Sequence, residues 1–309
     1  MMIHAQKARV LLATVIGVYS LQAQQVLAAD SPSATTVEAD NRTVTEKIRE
    51  RIGVSYFGQL FGPSLDAPIN SSGGPVGNVP HTLSGSGTQG ASAYLQNDLR
   101  LNIKTGTPVT FRAQLRFTMR PWVDPNTDGS LVHPFDFLNP RFGAYSFRQF
   151  NPNFSLLAWL WADAPINAGA IKLSLVTNPA ALLVPEWRFN ASNWYLGGYL
   201  MARGWIYSNQ QAAAKGGGNT FDGYVAPYVK WNFKGSVSAV GTFEWYPQYS
   251  LDSSLPKGGD WTTPPVDVQL ALNWEVNSSF WIQPFVQVFP SQLSLRTTMV
   301  GTYVGATLF

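Results

Sequence analysis

The chain of 309 residues contains no cysteine, so a disulfide scaffold is excluded. Charge is also scarce. Asp, Glu, Lys and Arg together make up 13%, about half the ~25% of an ordinary soluble domain. The net charge of +3 is too small at this length to argue for a nucleic-acid partner. No apolar run approaches the ~20 residues that a membrane-spanning helix needs. What is present instead is glycine (27), proline (21) and an aromatic share of 13%, which excludes disorder over the whole chain.

The N-terminus reads as an export signal over residues 1–29. Lys7 and Arg9 supply the positive end, and ten apolar residues run from Val10 to Tyr19. Val26-Leu27-Ala28 and Leu27-Ala28-Ala29 offer cleavage sites. Residues 30–51 follow as a polar arm. Val44 and Ile48 lie one helical turn apart there, and Thr43 with Glu46 has capping-box spacing. A short helix and a structureless tail are the two expectations for this arm.

From Ile52 onward the period is two, the strand signature. Leu95, Leu99, Leu101 and Ile103 alternate with Gln96, Asp98, Arg100, Asn102 and Lys104, interrupted only by Asn97. Past a Thr-Gly-Thr-Pro turn, Val109, Phe111, Ala113, Leu115, Phe117 and Met119 alternate with Thr110, Arg112, Gln114, Arg116, Thr118 and Arg120. The pattern recurs in 221–233, 237–249, 266–276 and 280–290, and less cleanly in 52–62, 152–162, 170–177, 181–190 and 194–207. With a last strand ending at Phe309 the expected count is twelve. Short turns near 105–107, 164–169, 191–193, 234–236 and 277–279 alternate with long connections such as 63–92, 123–150, 208–220 and 250–264.

Short turns at one end and long loops at the other suit an all-β, antiparallel up-and-down transmembrane barrel, here over 52–309 with both termini on the short-turn, periplasmic side. A soluble β-sandwich would alternate as well. Strands of about 11 residues, and Trp231, Phe233, Trp274 and Phe280 gathered at the short-turn ends, favour the bilayer. Tyr303 and Phe309, on alternate positions with Met299, Gly301, Gly305 and Thr307, close the chain as an outward-facing set. This ending resembles the last strand of bacterial outer-membrane β-barrel proteins, porin-like in general form, although Gly305 and Thr307 depart from the bulky residues usual there. The resemblance implies the bacterial outer membrane as location. Outer-membrane lipid and lipopolysaccharide would be the surroundings, no cofactor would be needed, and a homo-oligomer is compatible though no residue compels it.

If apolar faces meet lipid, the charged faces line the lumen. Arg100, Arg112, Arg116 and Arg120 would form a basic wall on the second and third strands, with Asp98 between. A turn centred on Gly106 would set Arg100 opposite Arg112 and Asp98 diagonal to Arg112 and Arg116. Asp222, Glu244, Asp267 and Glu275 would form an acidic wall roughly opposite, with Glu186, Arg188 and Arg203 on intervening strands. Facing walls of opposite sign resemble the constriction of general diffusion porins, which implies passive diffusion of small hydrophilic solutes or ions. The alternative is a plugged barrel whose charges pair across the lumen and whose long loops carry an interaction function. The apolar stretch in 123–150 is expected to fold into the mouth. Catalysis finds no constellation: His81 and His133 fall in loops, and the calcium-like start at Asp124, Asn126 and Asp128 meets Phe135 where a Glu is required.

Overall fold

The computed structural model describes residues 50–62, 65, 93–119, 135–190, 192–215, 218–233, 236–251, 259–262, 266–295 and 298–308. The export signal, the arm up to residue 49, His81, Arg120, the run 124–129, His133 and Phe309 lie outside the described residues.

Twelve strands form one antiparallel sheet that closes on itself. They are β1 (Ile52–Gly62), β2 (Tyr94–Lys104), β3 (Val109–Met119), β4 (Arg141–Asn151), β5 (Phe154–Asp163) and β6 (Ala180–Arg188). β7 (Trp194–Gly204), β8 (Asn219–Asn232), β9 (Val237–Glu244), β10 (Asp267–Asn277), β11 (Phe280–Val288) and β12 (Met299–Thr307) complete the wall. Each strand pairs with its neighbours in sequence. β12 returns to β1, with Ser55 opposite Thr307 and Gly62 opposite Val300. Closure leaves no edge whose backbone groups would face hydrocarbon.

The expected count of twelve holds, but two of its members change. Residues 141–151 form β4, where a loop was expected. Its inward positions mix Arg141, Gly143 and Tyr145, so no clean apolar face marks it in the sequence. Residues 170–177 are not a wall strand. Asn167 caps a short helix, Ala168–Lys172, through its side chain, and Leu175–Thr177 pairs with Ile206–Tyr207 outside the wall. The tight turn is therefore at 152–153, and 164–179 is a long connection. The apolar stretch around 135–142 does not fold inward as a unit. Phe135–Phe137 extends the sheet beside the end of β3, Phe135 stacks on Phe117 at 5.4 Å, and Phe135, Phe137 and Phe142 are exposed. Only Leu138 and, on β4, Tyr145 are buried.

The two faces of the sheet are inverted relative to a soluble protein. On β2, Leu99, Leu101 and Ile103 are 40–44% exposed, while Asp98 and Arg100 are at most 2% exposed. A sheet with hydrocarbon side chains outside and ions inside is matched to lipid rather than water. Trp231, Phe233, Trp274 and Phe280 are exposed at the short-turn ends, joined by Trp187 and Trp194, as an interfacial girdle requires. This is a transmembrane β-barrel. Asn97, the one polar interruption on the outer face of β2, is covered: the Tyr56 hydroxyl donates to its Oδ1 at 2.6 Å.

The last strand faces the opposite way from expectation. Tyr303 is fully buried in the lumen with Met299, and Val300, Thr302, Val304 and Ala306 turn outward. The reason lies in the glycines. Gly301 stands directly opposite Phe285, and Gly305 directly opposite Trp281. Each ring lies flat over its glycine, and a Cβ there would penetrate the ring. Tyr228 lies over Gly197 in the same manner between β8 and β7. Large rings fit into a narrow lumen because the residue opposite has no side chain.

Replacing Gly197 or Gly301 by Ala should destabilise the folded barrel by ~1–3 kcal/mol through overpacking. Gly198→Ala, whose new Cβ would find its nearest neighbour at 3.6 Å, should be close to neutral. Thermal unfolding in detergent, followed by the gel shift of the heat-denatured form, checks the ranking.

Candidate functional site: the lumenal charge belt

The β2–β3 hairpin sets the first part of the belt. Its turn is centred one residue later than expected, because the Thr105 hydroxyl donates to the Val109 carbonyl at 2.7 Å and contacts the Thr107 hydroxyl at 2.6 Å. Lys104 therefore pairs with Thr110, Arg100 with Gln114, and Asp98 directly with Arg116. Arg100 and Arg112 are thus not opposed, and Asp98 is not diagonal.

Inward alternation then brings opposite charges face to face. Arg116 reaches Asp98 at 3.3 Å and Asp163 at 3.7 Å. Arg100 contacts the other oxygen of Asp98 at 3.6 Å. Arg141 grips Asp163 with two parallel bonds of 2.6 and 2.9 Å, a bidentate arrangement. One chain of charge, Arg100–Asp98–Arg116–Asp163–Arg141, thus crosses β2 to β5. On β7 and β8, Arg203 pairs with Asp222 at 2.8 Å, and Asp222 also accepts from the Asn219 amide and the Trp205 indole. Arg112 donates to Asn102 at 2.7 Å and stacks over Tyr145 at 4.3 Å.

The acidic side is built differently. Glu244 accepts from the Tyr224 hydroxyl at 3.1 Å, from the Tyr246 hydroxyl and from the Gln287 amide at 3.3 Å. Gln287 also donates to Asp267 at 2.8 Å. Glu186 accepts from Tyr228 and from Lys230, both at 2.7 Å. Above the wall, in the outer connection, burial and the nearby Asp222 push the Tyr207 hydroxyl above its ordinary range.

Two expected lining residues sit away from the belt. Glu275 is exposed at the short-turn rim, because β10 passes out of the lumen before reaching it. Arg188 lies near that same end, donating to the Ser192 carbonyl at 2.9 Å. Arg120 falls outside the described residues. The expected pair of facing walls is replaced by a belt in which most basic residues are neutralised by aspartates on their own side. Arg141 and Asp163 were missed with β4, and Lys230 was visible only as an inward polar position. An alternating Trp159, Trp161 and Asp163 on one face was the available signal for the second partner.

Asp98, Arg100, Arg116, Arg141, Arg203, Asp222, Glu244 and Asp267 are all at most 2% exposed. These eight side chains are withdrawn from bulk water. Beside them, Gln96 and Gln114 turn buried amides into the lumen with no hydrogen-bond partner. Among the described residues no cluster of His, Asp and Glu could hold a metal ion.

No protein-family model matches the chain, and no curated protein matches it in sequence. Among solved structures the chain is similar to an outer-membrane channel of Pseudomonas putida F1. That likeness has 10% identity and a TM-score of 0.48, covering 83% of this chain and 94% of the other. It is also similar to the NanC porin, at 9% identity and a TM-score of 0.44, covering 82% and 98%. The likeness to the KdgM porin in complex with disordered oligogalacturonate has 9% identity and a TM-score of 0.41, covering 83% and 99%.

Asp163→Asn removes the carboxylate that Arg116 and Arg141 share, leaving buried guanidinium groups short of a counter-charge. A loss of ~3–5 kcal/mol is expected. Adding Arg141→Met should recover part of it. Unfolding of the two single variants and the double variant in detergent measures the coupling.

Proposed function

We propose that this barrel is an outer-membrane channel for small hydrophilic solutes or ions, with the lumenal belt as its filter. The belt is the observation that carries the reading. An apolar plug of the same volume would hold the barrel together at least as well, since buried ion pairs seldom add stability over hydrocarbon. Ionisable side chains inside a membrane domain are expensive and are by default functional. Pairs of opposite sign can exchange partners with a passing solute, replacing part of its hydration and sorting it by charge and size. The unpartnered amides of Gln96 and Gln114, each both donor and acceptor, favour a polar cargo. In this reading Arg100, Arg112, Arg116, Arg141 and Arg203 attract anions. Glu186, Glu244 and Asp267 attract cations, while Asp98, Asp163 and Asp222 hold the arginines in place. Glu275, Arg188 and Arg120 act at the two mouths. Residues 1–29 direct export, residues 30–51 form a periplasmic arm, and lipid with lipopolysaccharide surrounds the wall. Self-association through that wall is compatible with the function.

A second reading rests on the burial of the belt. A barrel permanently shut at this level would act through its long outer connections, including the hairpin of Gln248–Leu251 and Gly259–Thr262.

Planar-bilayer recording separates the two. Stable open steps are expected, with reversal potential shifted towards cation selectivity by Arg112→Ala and Arg116→Ala. Folded, heat-modifiable protein that remains electrically silent at neutral, acidic and alkaline pH would support the closed barrel.

A further inference from the structure

Among the described residues, four charged pairs in the lumen stand directly opposite one another across neighbouring strands. Asp98 faces Arg116, Arg141 faces Asp163 and Arg203 faces Asp222. The fourth pair is Glu244 facing Asp267, and it alone is of like sign. Directly opposed residues have Cβ atoms ~4.5–5.5 Å apart, a spacing that favours opposite charges and penalises like ones. Both carboxyl groups are fully buried, and the same Gln287 amide nitrogen donates to both, at 3.3 Å to Glu244 and 2.8 Å to Asp267. One amide cannot offset two carboxylates held at that spacing away from water, which favours a proton on one of them.

The pair occupies a particular place in the chain. Glu244 is the last residue of β9 and Asp267 the first of β10. Between them the chain runs on beside β8, with Trp245 paired to Val225, Gln248 opposite Asp222 and Ser250 opposite Asn219, and then turns back as the outer hairpin of Gln248–Leu251 and Gly259–Thr262. Tyr246, at the root of that excursion, donates its hydroxyl back to Glu244. The two carboxyl groups therefore stand at the neck of the hairpin, where β9 and β10 last pair. Facing them are Tyr224 from β8, Tyr246 from beyond β9 and Gln287 from β11, with Tyr199 of β7 one strand further round. The nearest ionised pairs along the wall are Arg203 with Asp222 and Lys230 with Glu186.

We propose that the proton shared by Glu244 and Asp267 is a latch on the outer hairpin. With the proton in place the carboxyl groups bond and the neck is tied. When pH rises the proton passes to bulk water, leaving two carboxylates at contact distance. Their repulsion parts the neck, frees the root of the hairpin at Tyr246 and opens the belt on its acidic side. The protonated latch is thus the closed state, and rising pH releases it. A single linked proton moves the latch equilibrium by up to about tenfold per pH unit. Only the effect on conduction rests on the channel reading.

Three readouts on the full-length barrel test it. Infrared spectra should show the carbonyl stretch of a protonated acid at neutral pH in the native protein, absent from Asp267→Asn. Hydrogen exchange, expressed as protection relative to intrinsic rates, should show hairpin amides 248–251 and 259–262 losing protection as that band disappears at higher pH. Bilayer conductance should rise over the same interval, by up to about tenfold per pH unit. Asp267→Asn keeps an amide donor for Glu244 without a titratable proton, so its hairpin should stay protected at every pH. Glu244→Gln repeats the test should the first variant fail to fold. The latch is overturned if the native protein lacks the acid band, or if hairpin protection follows pH identically in native and Asp267→Asn protein. If band and hairpin titrate together while the bilayer stays silent, the channel reading falls and the latch stands.

Discussion

Surrounded by hydrocarbon, a sheet can leave no backbone N–H or C=O unpaired, because each orphan costs several kcal/mol. Everything else in this molecule descends from that constraint. It forces β12 back onto β1, and it demands short turns at one end so that neighbours in sequence are neighbours in the wall. It also sends alternate side chains to lipid and to lumen, so Leu99 and Arg100, adjacent in the chain, inhabit solvents of opposite character.

The second consequence is crowding. Every wall strand delivers about half its side chains to the same narrow interior, and two devices make them fit. Rings of Phe285, Trp281 and Tyr228 lie across glycines on the adjacent strand, gaining contact without adding width. Arginines are placed opposite aspartates, so the ions that must be inside satisfy one another. Both devices depend on register to the residue. A shift of two along β3 would exchange Asp98–Arg116 for a contact of Arg100 with Arg112 or Arg116, turning attraction into repulsion.

Register is also where reading from sequence reaches its limit. Alternation over 94–119 fixes which residues face inward, because the period is a property of the chain itself. It does not fix which residue stands opposite which, and the displaced turn came from hydroxyl bonds of Thr105 that no periodicity encodes. β4 was hidden for a related reason. Its inward face holds Arg141, Gly143 and Tyr145, residues chosen by what lies across from them, Asp163 and Trp161 included. The last strand reversed its expected facing on the same ground: Gly301 and Gly305 look like poor strand residues until Phe285 and Trp281 are laid over them. Class, most wall strands and most lumenal charges are local information, and were legible, while the count of twelve held because the hidden β4 and the mistaken strand at 170–177 offset one another. Pairing is mutual information between distant segments, and was not.

The belt's composition bears on whether the barrel is a plug or a passage. A plug needs only volume and satisfied polar groups, and hydrocarbon supplies volume more cheaply than ions do. Here the described belt holds Arg100, Arg112, Arg116, Arg141, Arg203 and Lys230 against Asp98, Asp163, Asp222, Glu186, Glu244 and Asp267, a balance with little overall sign. Such a balance filters poorly by net attraction and well by partner exchange, since a moving ion of either sign can replace a side chain in a pair without leaving a bare charge behind. In the channel reading, the pairs that line the belt are the same contacts that a solute must take over to cross it. Pairing and selectivity become one property of the belt, set by how readily each cross-strand pair can be parted.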